Sequence, residues 1–207
     1  MRRHQSSDED LCRALILNTL CVFCGSSPGF KSVHGDCARE LGTRLAARGV
    51  RLVFGGGRIG LMGILADSVL SNGGLVTGVI PEFLMKPEIA HPNLTEMVVV
   101  KDMHARKQRM FELSDGFAVL PGGLGTLDEA IEMITWCQLR LHDKPIAILN
   151  NDHYWAPFLA LIGRFVAEGF APKKTEKLFT ILNDVDRIID IIDVGVACHL
   201  RVGYGDL

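Results

Sequence analysis

The stretch "LPGGLGTLDEAIE", residues 120–132, closes one kind of element and opens another. An apolar run, "GFAVLPGG" at 116–123, ends on Pro121, Gly122 and Gly123, and a helical pattern over 126–140 follows at once. A strand that yields to a helix through small, flexible residues is the punctuation of a strand–helix–strand unit. Asp128 and Glu129 fall in the first turn of that helix, where the dipole attracts anions. These acids either cap the helix or share its N-terminus with a bound ligand.

The same alternation runs along the whole chain. Short apolar runs at 19–25, 50–57, 74–81, 95–100, 116–123 and 145–150 are separated by amphipathic stretches near 33–48, 60–72, 103–114, 126–140 and 154–168. A late run, "LFTIL" at 178–182, precedes a final helix near 184–193. Strands apolar on both faces, alternating with helices, imply a parallel sheet covered on both sides. The fold class is α/β: a Rossmann-like, doubly wound parallel sheet in a three-layer sandwich, whose ligands bind beyond the carboxyl ends of the strands.

The domain division follows from the same pattern. Residues 1–14 read as a disordered tail, 15–194 as a single nucleotide-binding domain and 195–207 as a C-terminal tail. A chain of 207 residues buries enough surface to need no staples. Its formal charge of −2, with 22 basic and 24 acidic residues intermixed, offers no footprint for nucleic acid or an anionic membrane. No segment approaches the apolar length of a membrane span, and the polar opening "MRRHQSSDED" does not read as an export signal. Six irregularly spaced cysteines, four of them in apolar runs, suit a reduced cytoplasmic chain. Cys21 and Cys24 form a C-x-x-C, but no second pair accompanies them, so neither a metal nor another cofactor is expected.

Two glycine clusters fall where ligands bind in such folds. "FGGGRIGLMG" contains Gly55-x-Gly57-x-x-Gly60 after a strand and before a helix, which fits a dinucleotide fingerprint, with Glu82 a candidate for holding a ribose. The competing reading is a tight turn with no ligand. The second cluster, Pro121–Thr126, places Thr126 as a candidate N-cap and Thr126-x-x-Glu129 as a capping box. That account explains Glu129 but leaves Gly122, Gly123 and Gly125 without a purpose. A ligand bearing both phosphate and hydroxyls would use them: amides for the phosphate, a carboxylate for the sugar.

The helix "MHARKQRMFELSD" has charges on the wrong side. At about 100° per residue from Met103, Met110 lies at about 340° and Phe111 at about 80°, while Arg106 at about 300° and Lys107 at about 40° share that core-facing arc. A buried guanidinium without an anion is costly. Arg106 therefore pairs with an internal acid, snorkels from the helix end, or faces an anionic ligand.

"VFCGSSPG", "FGGGRIGLMG", "VIPEFLMKPEI", "MHARK", "PGGLGT" and "EMITWCQLRLHDKPI" together closely resemble the LONELY GUY family, phosphoribohydrolases that release the free base from cytokinin nucleotides. The likeness runs from about Cys21 to about Ile192, and the P-G-G-x-G-T-x-x-E pattern is met in full at Pro121–Glu129. The resemblance implies cleavage of the N-glycosidic bond of N6-substituted adenosine 5′-monophosphates, and of AMP, to free base and ribose 5-phosphate. It implies Arg106 and Glu129 as the catalytic pair, with Glu88, Lys107, Gly123, Leu124, Gly125, Thr126 and Thr135 lining the substrate site. Gly56 and Gly57 of the first glycine loop join that expected set. It further implies a homodimer or larger, with active sites near the subunit contact. A lysine decarboxylase label borne by related sequences finds no lysine site for pyridoxal phosphate here. The alternative function is a nucleotide or dinucleotide binding protein of Rossmann type without chemistry.

Overall fold

The computed structural model describes residues 17–194, so both expected tails lie outside the described residues. Seven strands form one sheet: β1 Thr19–Phe23, β2 Arg51–Phe54, β3 Val76–Pro81, β4 Glu96–Val100, β5 Gly116–Val119, β6 Ile146–Leu149 and β7 Thr180–Leu182. Their order is β4–β3–β2–β1–β5–β6–β7, and every neighbouring pair is parallel. β5 and β6 carry no polar side chain and are buried throughout, because both faces of the sheet are covered there.

Five helices connect them: α1 Ser32–Ala47, α2 Gly60–Ser71, α3 Met103–Glu112, α4 Leu124–Gln138 and α5 Ala156–Ala167, with a further helical segment over 188–194. One face of the sheet packs on α1 and α2 through Leu41, Leu45, Leu65 and Val69, and on Ile188 and Ile192. The opposite face packs on α3, α4 and α5 through Met110, Ala130, Met133 and Ile162. This is the three-layer, doubly wound sandwich expected from the alternation.

The chain winds outward from β1 in both directions, so β1 and β5 flank the point where the winding reverses. Phe23 pairs in register with Val119, which brings the loops after both strands to the same level. Gly25 N–H donates to the Pro121 carbonyl at 3.0 Å, tying those loops together. Ligands of open α/β sheets bind at such a crevice.

Candidate active site

A cleft of about 210 Å³ opens at this crevice, lined by Arg106, Glu129, Cys24, Ser26, Met62 and the residues from Gly123 to Thr126. Four elements supply it: the loop after β1, the first turn of α2, the buried side of α3, and the first turns of α4.

The start of α4 departs from the sequence expectation. The helix begins at Leu124 with Gly123 as its N-cap, and no side chain caps it. Thr126 is therefore the third helical residue and not the cap. Glu129 is the sixth, too far along to reach back to a cap amide, so the capping-box account of Glu129 is overturned. Weak helix formers at Gly123 and Gly125 hid this early start. The bare amides at the N-terminus of α4 are left facing the cleft.

The glycines divide into two kinds. A methyl group at Gly122 would fall 2.1 Å from Oγ1 of Thr126, so Gly122 is needed for close packing. At Gly123 and Gly125 the same methyl would meet no atom within 4 Å. No neighbour within the protein requires those two to be bare. They keep a strip of peptide backbone open at the positive end of a helix, which is where an anion binds.

Arg106 and Glu129 enter the cleft from opposite sides. Asp102 caps α3 by accepting from Ala105 N at 2.8 Å, which fixes the helix start and turns Arg106, Lys107 and Met110 inward. Arg106 is 9% exposed, and its guanidinium donates from Nε to the Val79 carbonyl at 3.1 Å and from Nη2 to the Gly55 carbonyl at 3.2 Å. Its Nη1 stands 3.5 Å from Oε1 of Glu129. Glu129 is 8% exposed. Burial raises its carboxyl to about 7 even though Arg106 pulls it down, with Asp128 and Glu132 adding to the rise and Lys107 opposing it. Cys24, on the wall of the same cleft, is buried, and burial together with Glu129 holds its thiol protonated.

The other expected residues fare differently. Gly123, Leu124, Gly125 and Thr126 line the cleft with Arg106 and Glu129. Lys107 does not; its ammonium lies 3.0 Å from Asp128 and 3.1 Å from Glu132, joining α3 to α4 beside the cleft. Burial alone would lower its proton affinity, and the two carboxylates more than offset that. Glu88 is exposed in the loop between β3 and β4, and Thr135 is exposed on α4 two turns beyond Glu129. Neither lines the cleft within this chain.

Gly56 and Gly57 are also absent from the cleft lining. The Gly56 carbonyl accepts from His91 N, the Gly57 backbone bridges to Ala90, and Arg58 N donates to the Ile89 carbonyl. Gly60, at φ +66°, lies so near the Ser26–Ser27 backbone that no side chain fits. The N-terminus of α2 is satisfied by the Gly25 carbonyl, which accepts from Leu61 N and Met62 N. The glycine fingerprint is thus occupied by the protein's own backbone, and Glu82 is exposed outside the cleft.

Residues that pattern reading missed are Cys24, Ser26 and Met62. Ser26 was findable, since "CGSSPG" follows a strand at the ligand end of the sheet; nothing local marks Met62.

The arrangement has known counterparts. A family model described as "Possible lysine decarboxylase" matches residues 62–192. A relative from Rhodococcoides fascians, named cytokinin riboside 5′-monophosphate phosphoribohydrolase, is 45% identical over 175 residues, covering 84% of this chain and 88% of its own. The chain belongs to the LONELY GUY family. Another member, from Oryza sativa subsp. japonica, bears the name "Probable cytokinin riboside 5'-monophosphate phosphoribohydrolase" and is 52% identical over 151 residues, 73% of this chain and 68% of the relative. The molybdenum cofactor binding protein from Rippkaea orientalis shares the LONELY GUY fold with a TM-score of 0.66 at 20% identity, over 86% of this chain and 96% of that one. The decarboxylase wording of the family model has no counterpart in the cleft, where no lysine is among the lining residues.

Proposed function

We propose that this protein hydrolyses the N-glycosidic bond of N6-substituted adenosine 5′-monophosphates, and AMP more slowly, giving free base and ribose 5-phosphate. The observation that carries this reading is the meeting of Arg106 and Glu129 in one cleft with the uncapped N-terminus of α4. The 5′-phosphate rests on the open amides at Gly123–Thr126, and the ribose reaches Glu129 one and a half turns deeper. As the bond to the purine breaks, positive charge grows at the anomeric carbon. The Glu129 carboxylate stabilises it in a site shielded from water. Water supplies the new oxygen at that carbon, and the departing base takes up the proton. Arg106, held by two backbone carbonyls, offers its remaining N–H groups to the phosphate or to the leaving base.

A cleft of about 210 Å³ is smaller than the roughly 300–1,000 Å³ of pockets that enclose a whole ligand. It suits the ribose phosphate and leaves the purine at the surface beside Leu124, which is 86% exposed. Leu124, Ile131, Thr135 and Leu139 are all exposed and lie seven, four and four residues apart, along one stripe of α4 and its C-cap. We assign that stripe to the contact of a homodimer, where Thr135, and Glu88 from the β3–β4 loop, would border the purine. The sealed thiols of Cys21 and Cys24 fit a cytoplasmic setting. Among the described residues no helix is long and apolar enough to cross a membrane.

The deciding experiment incubates the purified protein with N6-isopentenyladenosine monophosphate and with AMP and quantifies free base and ribose 5-phosphate. Release from both, faster from the prenylated nucleotide, is the expected result. Binding of the nucleotides without base release would refute the hydrolase reading.

A further inference from the structure

A second hollow, of about 230 Å³, adjoins the cleft and shares Ser26 and Gly123 with it. Its walls are the loop from Gly25 to Gly29, the Gly122–Gly123 backbone, and the side chains of His34 and Tyr154. The hydrolytic reaction leaves it without a task.

His34 is the residue that needs explaining. It stands in the first turn of α1, is 6% exposed, and its Nδ1 is sealed with no hydrogen-bond partner. A neutral imidazole carries one N–H and one lone pair, and buried polar atoms are as a rule satisfied. The ring is nonetheless held in place. Tyr154 packs edge-on against it at 5.5 Å, and Gly29 lies so near that a side chain there would touch the ring. Tyr154 is itself fixed by donating its hydroxyl to the Gly122 carbonyl.

The surroundings favour an anion. α1 spans 16 residues, has no side-chain cap and carries no acid in its first turn. The imidazole stands in that first turn, at the positive end of the α1 dipole. No carboxylate is among the lining residues, and Asp152, the acid that senses His34, is paired with Lys31.

We propose that this hollow is a second phosphate site, in which a ring N–H of His34, in the positive field at the start of α1, holds one phosphoryl group apart from the site at α4. That group comes either from free inorganic phosphate or from the terminal phosphate of a nucleoside 5′-diphosphate straddling Ser26 and Gly123. Only the second source rests on the function proposed above.

The test follows the histidine ring signals of ¹⁵N-labelled full-length protein by NMR, with His34 assigned by comparison with His34→Phe, during titration with inorganic phosphate. The His34 ring signals should shift saturably, and His34→Phe, which keeps the packing on Tyr154, should weaken phosphate binding about three- to tenfold. Repeating the titration in Glu129→Gln separates the sources without turnover. Phosphate that stays bound in the presence of both AMP and ADP identifies free phosphate as the ligand. Displacement by ADP but not by AMP identifies the diphosphate. Unmoved His34 signals, or displacement of phosphate by AMP, overturn the second site. Because the titration needs no catalysis, failure of the hydrolase reading would leave its result intact.

Discussion

Arg106 Nη1 and Glu129 Oε1 stand 3.5 Å apart, each nine-tenths buried, on two helices that reach the same cleft from opposite sides. The arginine does not depend on this carboxylate for its place, since Val79 and Gly55 hold it through their carbonyls. Glu129 has no comparable anchor and is destabilised as an anion by its burial. A carboxylate kept ionisable in a dry site, with its counter-ion independently fixed, is suited to face a charge that forms only during reaction.

Glu129→Gln should therefore lower kcat by about 10²–10³ or more while the protein stays folded. Rates of base release, read beside circular dichroism and melting curves, check this. Near-normal turnover in the variant would remove Glu129 from the mechanism.

In the proposed mechanism Glu129 acts in its ionised form, and burial raises its carboxyl to about 7. For the wild type, kcat/KM should climb as pH rises through about 7 and level off above it. A profile flat from pH 5 to 8 would show that Glu129 is not the group that must ionise.

The same shift bears on stability. Glu129 titrates near 4.5 when unfolded and at about 7 when folded, so the folded state holds the proton more tightly. That contribution is present below about 4.5 and is lost as pH rises to about 7, on the order of 3 kcal/mol in all. Removing the titrating group removes this loss. The Tm of Glu129→Gln relative to wild type should therefore become more favourable between pH 5 and pH 8, whatever its starting value. A constant difference across that range would contradict the raised carboxyl.

Much of this site was legible in the sequence because its signals were periodic. Arg106 and Lys107 fell on the arc of Met103 and Met110, and both are buried as that period demands. The strands announced themselves by being apolar on both faces. What stayed hidden depended on contacts far apart in the chain. Gly55-x-Gly57-x-x-Gly60 has the spacing of a phosphate loop, yet its backbone partners are His91, Ala90 and Ile89, which no local pattern reveals. The start of α4 was misplaced by two residues because Gly-Leu-Gly is a poor helical signal. Lys107, which the family resemblance set at the substrate, is held by Asp128 and Glu132 from another helix, partners that no local pattern reveals.

Gly122 and Gly125 should fail in different ways when each is changed to alanine. Gly122→Ala forces a methyl to within 2.1 Å of the Thr126 hydroxyl and should cost about 1–3 kcal/mol of stability. Gly125→Ala meets no atom within 4 Å, so its Tm should not fall, but the methyl crowds the amides on which the proposed phosphate rests. Its KM for the nucleotide should rise about tenfold, a cost near 1.4 kcal/mol. Thermal melts and steady-state kinetics on both variants separate packing from binding.

Lys107 supplies a last prediction, which turns on electrostatics at a distance. The groups that act on Glu129 are Arg106 and Lys107 from α3, Asp128 and Glu132 from α4, with the thiols of Cys21 on β1 and Cys24 just after it protonated and neutral. Lys107 opposes the rise in Glu129 directly and also neutralises Asp128 and Glu132, both of which promote it. Lys107→Met keeps the length of the stem and removes the charge. Two unopposed carboxylates then disfavour a third, so the midpoint of the pH–activity profile should move to higher pH. At pH 9, where Glu129 is ionised in both proteins, kcat should recover towards wild type; at pH 6.5 it should fall further below it. A uniform loss at every pH would instead mean that Lys107 contacts the substrate itself, as the family resemblance alone had implied.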